Sequence, residues 1–261
     1  MATSSTSMAE GGGGEEETSI YPQKKYFRSR AHCNPLSNND VFSYPSCPSE
    51  MRWSELFERG EATILDVGCG FGGLMSSLAT LTEENILALE IRPKVCEFVR
   101  RRIEALRKEK GGYRNAACLR SNATLYLPNM IKKAQLSKLF FCFPDPHFKA
   151  KNHRRRVISA ASLAEYAYAL KPDGLIYAIT DVRELHDWHL ARLSQHPCFE
   201  PLLMTPDEEA TDPFVRAIVN DTEEGQKVAR NNGLKFWLVY RRKHDLSCLR
   251  DHPPLFSDTS Q

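Results

Sequence analysis

The chain has 261 residues, of which 41% are hydrophobic and 26% charged, a balance that can fill the core of one α/β domain with extensions. No apolar run reaches the roughly 18–20 residues needed to cross a bilayer, and no basic–apolar–small leader opens the chain, which argues against membrane and secreted classes. The formal charge is +2, but Glu10, Glu15, Glu16 and Glu17 stand in the leading tail with no basic neighbour; without those four the remainder carries +6, compatible with a polyanionic partner and equally with a solvated surface.

Residues 1–20 are Ser, Thr, Gly and Glu in the main and read as a disordered acidic tail. Residues 21–247 read as a single domain with an N-terminal extension, and 248–261, which include Pro253-Pro254, as a flexible tail. The extension, 21–49, is rich in Pro, Asn and aromatics and carries Lys24, Lys25, Arg28 and Arg30. Strand and helix then alternate. An apolar run at 63–67 ends in glycines, a helix fits 74–79, and 86–90 is the next strand. Val95, Phe98, Val99, Ile103 and Leu106 recur at helical spacing. Strands are predicted at 116–119, 139–143 and 175–180; a helix ends at Leu170, with Lys171-Pro172-Asp173-Gly174 as the turn. Another helix falls near 184–195 and a closing strand at 236–240. Such alternation predicts a parallel sheet covered by helices on both faces.

The eight cysteines are scattered without a C-x-x-C pair and read as reduced thiols. His186 and His189 lie one helical turn apart, but no HExxH motif or Cys partner accompanies them, so no metal site is expected.

The first strand runs into Asp66-Val67-Gly68-Cys69-Gly70-Phe71-Gly72-Gly73. Glycines let the backbone turn tightly and approach a ligand, and the helix that follows offers unpaired N–H groups. About twenty residues on, Glu90 ends the second strand where a carboxylate can accept from ribose hydroxyls. Two templates fit. Gly68, Gly70 and Gly73 satisfy the dinucleotide G-x-G-x-x-G; Asp66 with Gly68, Gly70 and Gly72 satisfies the first motif of class I methyltransferases. Asp66 favours the second, because a carboxylate there suits a cationic methionine end and would repel a pyrophosphate.

After the strand at 139–143 comes Phe143-Pro144-Asp145-Pro146-His147-Phe148-Lys149. In a doubly wound sheet the site lies beyond the carboxyl ends of the strands, which is where this places Asp145. An ordinary turn with Asp145 capping the next helix is the plainer alternative. The basic run Lys149, Lys151, His153, Arg154, Arg155 and Arg156 follows, suited to a polyanion or to a solvated helix surface.

Together these stretches resemble the tRNA (guanine-N7-)-methyltransferases, especially the eukaryotic catalytic subunit. The resemblance runs from about Lys24 to Arg242, through 30–32, 34–35, 66–73, 89–92, 119–123, 143–149, 163–167, 179–182, 184–188 and 222–225. It implies a Rossmann-like class I methyltransferase fold, mostly parallel with an antiparallel C-terminal strand, and S-adenosylmethionine as cofactor. By the same resemblance Gly68 and Gly70 hold the methionine end, Glu90 and Arg92 lie at the ribose, Asn122 and Ala123 flank the adenine, and Cys142 borders the cofactor. Asp145 corresponds to the active-site carboxylate. Thr222 and Glu224 belong to a late loop closing over cofactor and base; locally Thr222 also reads as an N-cap for a helix ended by Gly233. Phe71 and Cys142 depart from the usual aromatic hydroxyl and aliphatic residue, without threatening the activity. Lys24, Arg28, Arg30, Lys149, Lys151, Arg154 and Arg155 would face the tRNA. The family further implies a guanine in the variable loop, nuclear residence, and a WD-repeat β-propeller, which here would be a separate chain forming a heterodimer.

Overall fold

A computed structural model describes residues 20–30, 33–37 and 41–244; the proposed tails at 1–20, apart from Ile20, and at 248–261 lie outside these residues, as do Ala31 and His32. A seven-stranded sheet carries the order β3-β2-β1-β4-β5-β7-β6. Its strands are β1 (Ile64–Val67), β2 (Ile86–Glu90), β3 (Ala116–Arg120), β4 (Leu136–Cys142), β5 (Leu170–Thr180), β6 (Phe199–Pro201) and β7 (Phe236–Arg242). β7 runs antiparallel to both β5 and β6, and the remaining pairs are parallel. The helices are α1 (Gly73–Leu81), α2 (Pro93–Lys110), α3 (Ala123–Met130), α4 (Ala160–Ala169), α5 (Arg183–Gln195), α6 (Pro206–Thr211), α7 (Pro213–Asn220) and α8 (Glu223–Arg230).

All four residues of β1 and all five of β2 are buried, because helices cover both faces of the parallel sheet at its centre. Alternate residues divide between two cores. Leu65, Leu87, Leu139 and Phe141 pack with Leu163 and Tyr166 of α4 on one face. Ile64, Ile86, Phe140 and Tyr177 pack with Met75 of α1, Val99 of α2 and Val215 of α7 on the other. The strand order reverses between β1 and β4, so the crevice beyond their carboxyl ends is the topological switch point.

The predicted strands and long helices are present, with some differences. The turn at Lys171–Gly174 lies inside β5: Leu170 pairs with Leu136, the register shifts before Lys138, and Asp173 takes a φ of 63°. The chain thus kinks within the pairing instead of leaving it. α8 ends at Arg230, and Asn232 at φ 52° takes the left-handed position expected of Gly233. α3, β6, α6 and α7 lie outside the predicted elements. α3 holds Pro128 in its interior, where proline normally argues against a helix. Caps define the late pair: Thr205 accepts from Glu208 N, and Asp212 accepts from Phe214 N and Val215 N.

Candidate active site

β1 ends at the glycine loop, whose Gly68 and Cys69 N–H groups donate to Leu89 O at 2.8 and 3.1 Å, binding the loop to the end of β2. Gly68 (φ 74°) and Gly70 (φ 55°) are left-handed, and a Cβ on either would meet nothing within 4 Å, so both face open space. At Gly73 a Cβ would lie 2.6 Å from the Glu223 carboxylate, so this glycine permits close packing of α8 on α1.

Glu90 is buried and saturated with donors. Its Oε1 accepts from Arg92 N (2.9 Å) and Arg92 Nε (3.0 Å), and its Oε2 from Arg92 Nη2 (2.9 Å) and Gly70 N (3.1 Å). A carboxylate offers about four acceptor positions, so a ribose hydroxyl reaching Glu90 must share or displace one of these. Asn122 caps α3, accepting from Thr124 N at 3.1 Å, while its amide donates to Pro35 O of the extension at 2.6 Å. The extension is pinned further along by Arg120, which donates to Val41 O at 3.2 Å and stacks over Phe42 at 4.8 Å.

Asp66 lies 1% exposed under the loop, and its Oδ2 has no hydrogen-bond partner. Burial pushes its carboxyl up to about 8, helped by the negative charges of Glu223 and Glu90. In the ligand-free fold the carboxyl therefore favours its protonated form near neutral pH, and a cation beside it would restore the carboxylate that the sequence suggests. Burial likewise holds the Cys142 thiol well above its usual range, so Cys142 is neutral at the cleft wall.

Two adjoining clefts share Gly68, Arg92, Phe143, Pro144 and Asp145. The first is lined also by Glu90, Asn122 and Ala123; the second by Asp66, Gly70, Cys142, Thr222 and Glu224. Every residue expected at the cofactor thus reaches one of two continuous walls. Thr222 does cap α8, accepting from Gly225 N at 3.0 Å.

Asp145 is not a helix cap. Its Oδ1 accepts from His147 N at 3.3 Å, closing a tight turn ahead of the 3-10 helix Ala150–Arg155. Phe143 and His147, on either side of Pro-Asp-Pro, sit at φ 50° and 46°. Left-handed backbone at bulky residues costs on the order of 1–3 kcal/mol each and concentrates at functional sites.

The basic run divides. Lys149, Lys151 and Arg154 are exposed, and Arg155 is half-buried. Lys149 and Arg155 share a third groove with Asp145, Phe148 and Asn34. Arg156, the last of the run, is buried and so forms no part of a surface. In the extension, Arg28 and Arg30 are exposed, whereas Lys24 pairs with Glu223 at 3.4 Å. Of the two helical histidines, His186 packs against Phe236 and His189 is buried, its imidazole pushed down to about 3 by desolvation.

Three groups at the site were given no role in it by the sequence, although Asp181 and Glu223 fall within the matching stretches 179–182 and 222–225. Asp181, directly after β5, lines the second cleft; its place at a strand's carboxyl end is the usable signal. Glu223 reads in sequence only as a first-turn acid, yet it reaches Gly73 N at 3.0 Å and Arg102 at 2.7 Å. Arg102 also donates to Phe71 O at 2.9 Å, and nothing local in the sequence announces that contact.

Residues 60–238 match the family model described as a putative methyltransferase. A tRNA (guanine-N(7)-)-methyltransferase of Brugia malayi is 52% identical over 87% of this chain and 89% of its own length. That of Danio rerio is 49% identical over 86% and 97%, and that of Yarrowia lipolytica 47% over 86% and 78%. Among solved structures, the 16S rRNA methyltransferase KamB superposes with a TM-score of 0.52 at 17% identity, covering 78% of this chain and 95% of its own, a likeness of fold. The chain belongs to the tRNA (guanine-N7-)-methyltransferases and transfers the methyl group of S-adenosylmethionine to N7 of a guanine in tRNA.

Proposed function

We propose that Asp145 holds the target guanine by accepting from its N1–H or exocyclic amine, with the methyl donor across the shared wall. The observation that carries this is the place of Asp145, on the walls of both clefts below the glycine loop and of the basic groove beside them. Guanine N7 carries an in-plane lone pair and no proton, so the step needs no base. The lone pair attacks the sulfonium methyl in line, the sulfur–carbon bond breaks, and its electron pair returns to sulfur. Positive charge passes from sulfur to the purine ring, and a carboxylate at the N1 edge interacts more strongly with that cation than with neutral guanine. The remainder of the work is orientation.

Gly68, Gly70, Thr222 and Glu224 would hold the methionine end, with Asp66 beneath it. Glu90 and Arg92 would meet the ribose, Asn122 and Ala123 the adenine, and Cys142 would pack against the donor. In A-form RNA the major groove is too deep and narrow to present N7, so the base leaves its stack, and Phe143 and Phe148 stand at the grooves to receive it. Lys149, Lys151, Arg154 and Arg155, with Lys24, Arg28 and Arg30 of the extension, would meet tRNA phosphates. We further propose a variable-loop guanine as the target, a separate WD-repeat β-propeller chain as partner, and nuclear residence; all three rest on the family resemblance. The test is Asp145→Ala: methyl transfer is abolished and S-adenosylmethionine affinity stays within a few-fold, whereas transfer at the wild-type rate overturns the assignment.

A further inference from the structure

Arg156 ends a basic run, yet its side chain is 1% exposed. Its Nε donates to Pro146 O at 2.8 Å, at the residue directly after Asp145. Its Nη2 donates to Glu184 Oε1 at 2.6 Å, in the first turn of α5. The guanidinium lies over the Trp188 ring at 4.8 Å, and the Trp188 indole N–H donates to Ile158 O at 2.7 Å, which fixes the ring in turn. Arg192 lies 4.3 Å from the same ring. One buried cation thus joins the Asp145 turn to the start of α5, just beyond Asp181 on the cleft wall.

The turn it grips is strained at both ends, at Phe143 and His147. Left-handed backbone at such residues persists only where the surroundings over-determine it. A guanidinium suits this role, because its rigid fork can hold a carbonyl and a carboxylate at once while stacking on an indole; an ammonium cannot reproduce all three contacts.

We propose that Arg156 is a positioning residue for the methyl acceptor: it sets the Asp145 turn against α5, and it acts on the rate of transfer from bound tRNA, not on tRNA affinity. This rests on the reading of Asp145 as the group that holds the guanine.

The test is single-turnover methylation of tRNA by full-length Arg156→Lys, together with any partner chain the wild type requires, and with active sites counted by S-adenosylmethionine binding. The proposal expects the rate at saturating tRNA to fall ten- to a hundredfold. Affinities for tRNA and S-adenosylmethionine, and the salt dependence of tRNA binding, stay within about twofold of wild type. Glu184→Gln, which keeps an acceptor on a half-exposed side chain, should show a smaller loss of the same kind. If Arg156→Lys does not fold, Glu184→Gln decides the matter by the same readout. A wild-type rate per active site means a role in stability alone; weaker tRNA binding with a shallower salt slope means a phosphate contact. Either overturns the proposal. Asp145→Ala run in parallel separates the two readings: if it is fast, Asp145 does not hold the base; if it is dead while Arg156→Lys is normal, only the positioning role fails.

Discussion

The carboxylate of Glu223 accepts a hydrogen bond from the backbone N of Gly73 at 3.0 Å, joining the first turn of α8 to the first turn of α1 across 150 residues of chain. An acid at a helix N-terminus meets the positive end of the helix dipole and one of its unpaired N–H groups. The other oxygen takes Arg102 at 2.7 Å, whose guanidinium also holds Phe71 O, and Lys24 of the extension stands 3.4 Å away. Glycine loop, α2, α8 and extension therefore meet at one side chain. Glu223→Gln should loosen this junction and weaken S-adenosylmethionine binding three- to tenfold, about 1 kcal/mol. Calorimetric titration at pH 9 checks this, since Asp66 is then ionised in both proteins and does not mask the loss.

Asp66 gives the site a pH dependence whose sign follows from its shift. Its carboxyl is held at about 8 in the ligand-free fold, above the ordinary 3.8 it regains on unfolding. The folded state therefore binds the extra proton, and this group favours folding least at high pH: its contribution is full below the unfolded value and is lost as pH rises toward 8. A cationic methionine end lowers the carboxyl again, so cofactor binding expels the proton. Affinity for S-adenosylmethionine should rise with pH up to about 8 and then level off. Titration at pH 7 in buffers of different ionisation enthalpy should show release approaching one proton per site. Asp66→Asn should bind weakly with no such release. In Glu223→Gln the plateau should begin at lower pH, because one of the charges raising Asp66 is gone.

Asn122 does two jobs that a substitution can divide. Asp at this position still accepts from Thr124 N and keeps the cap of α3, but it has no donor for Pro35 O. Asn122→Asp should keep unfolding stability within about 0.5 kcal/mol, and Asn122→Ala should lose about 1 kcal/mol with the cap. Both should release the extension near Pro35. Urea unfolding measures the first effect; faster protease cleavage within 28–37 reports the second.

For the exposed basic residues the expected behaviour is electrostatic. Removing the charge of Lys151 or Arg154 should weaken tRNA binding uniformly across tRNAs and lower the salt slope by about 1 per residue, with S-adenosylmethionine affinity unchanged. Filter binding over a salt series reads both quantities.

Much of the architecture is legible because parallel strands under two helical layers are apolar throughout. Runs such as Ile-Leu-Ala-Leu at β2 admit few other readings. What escapes is set by long-range contact. α3 survives Pro128 because it lies against Tyr44, stacked on Tyr126 at 4.0 Å, and against the Asn122 cap, neither of which local propensity contains. α6 and α7 are short helices of six and eight residues that open on Pro206 and Pro213, which suggest a loop until Thr205 and Asp212 are recognised as caps. At the site, Gly68, Glu90 and Asp145 are legible because motif and strand end coincide. Arg156 shows the limit. Its neighbours in sequence are surface cations, and only the fold buries it against Glu184 and Trp188.

The most direct measurement of the central claim locates the transferred methyl group. The full chain, with and without a WD-repeat propeller protein, is incubated with tRNA and labelled S-adenosylmethionine, and the RNA is then reduced and treated with aniline, which cuts at N7-methylguanosine. Label and a single cleavage in the variable loop are expected with the wild type, and neither with Asp145→Ala even though the variant still binds cofactor. Label without cleavage, or cleavage that persists at the wild-type rate in Asp145→Ala, would contradict that claim.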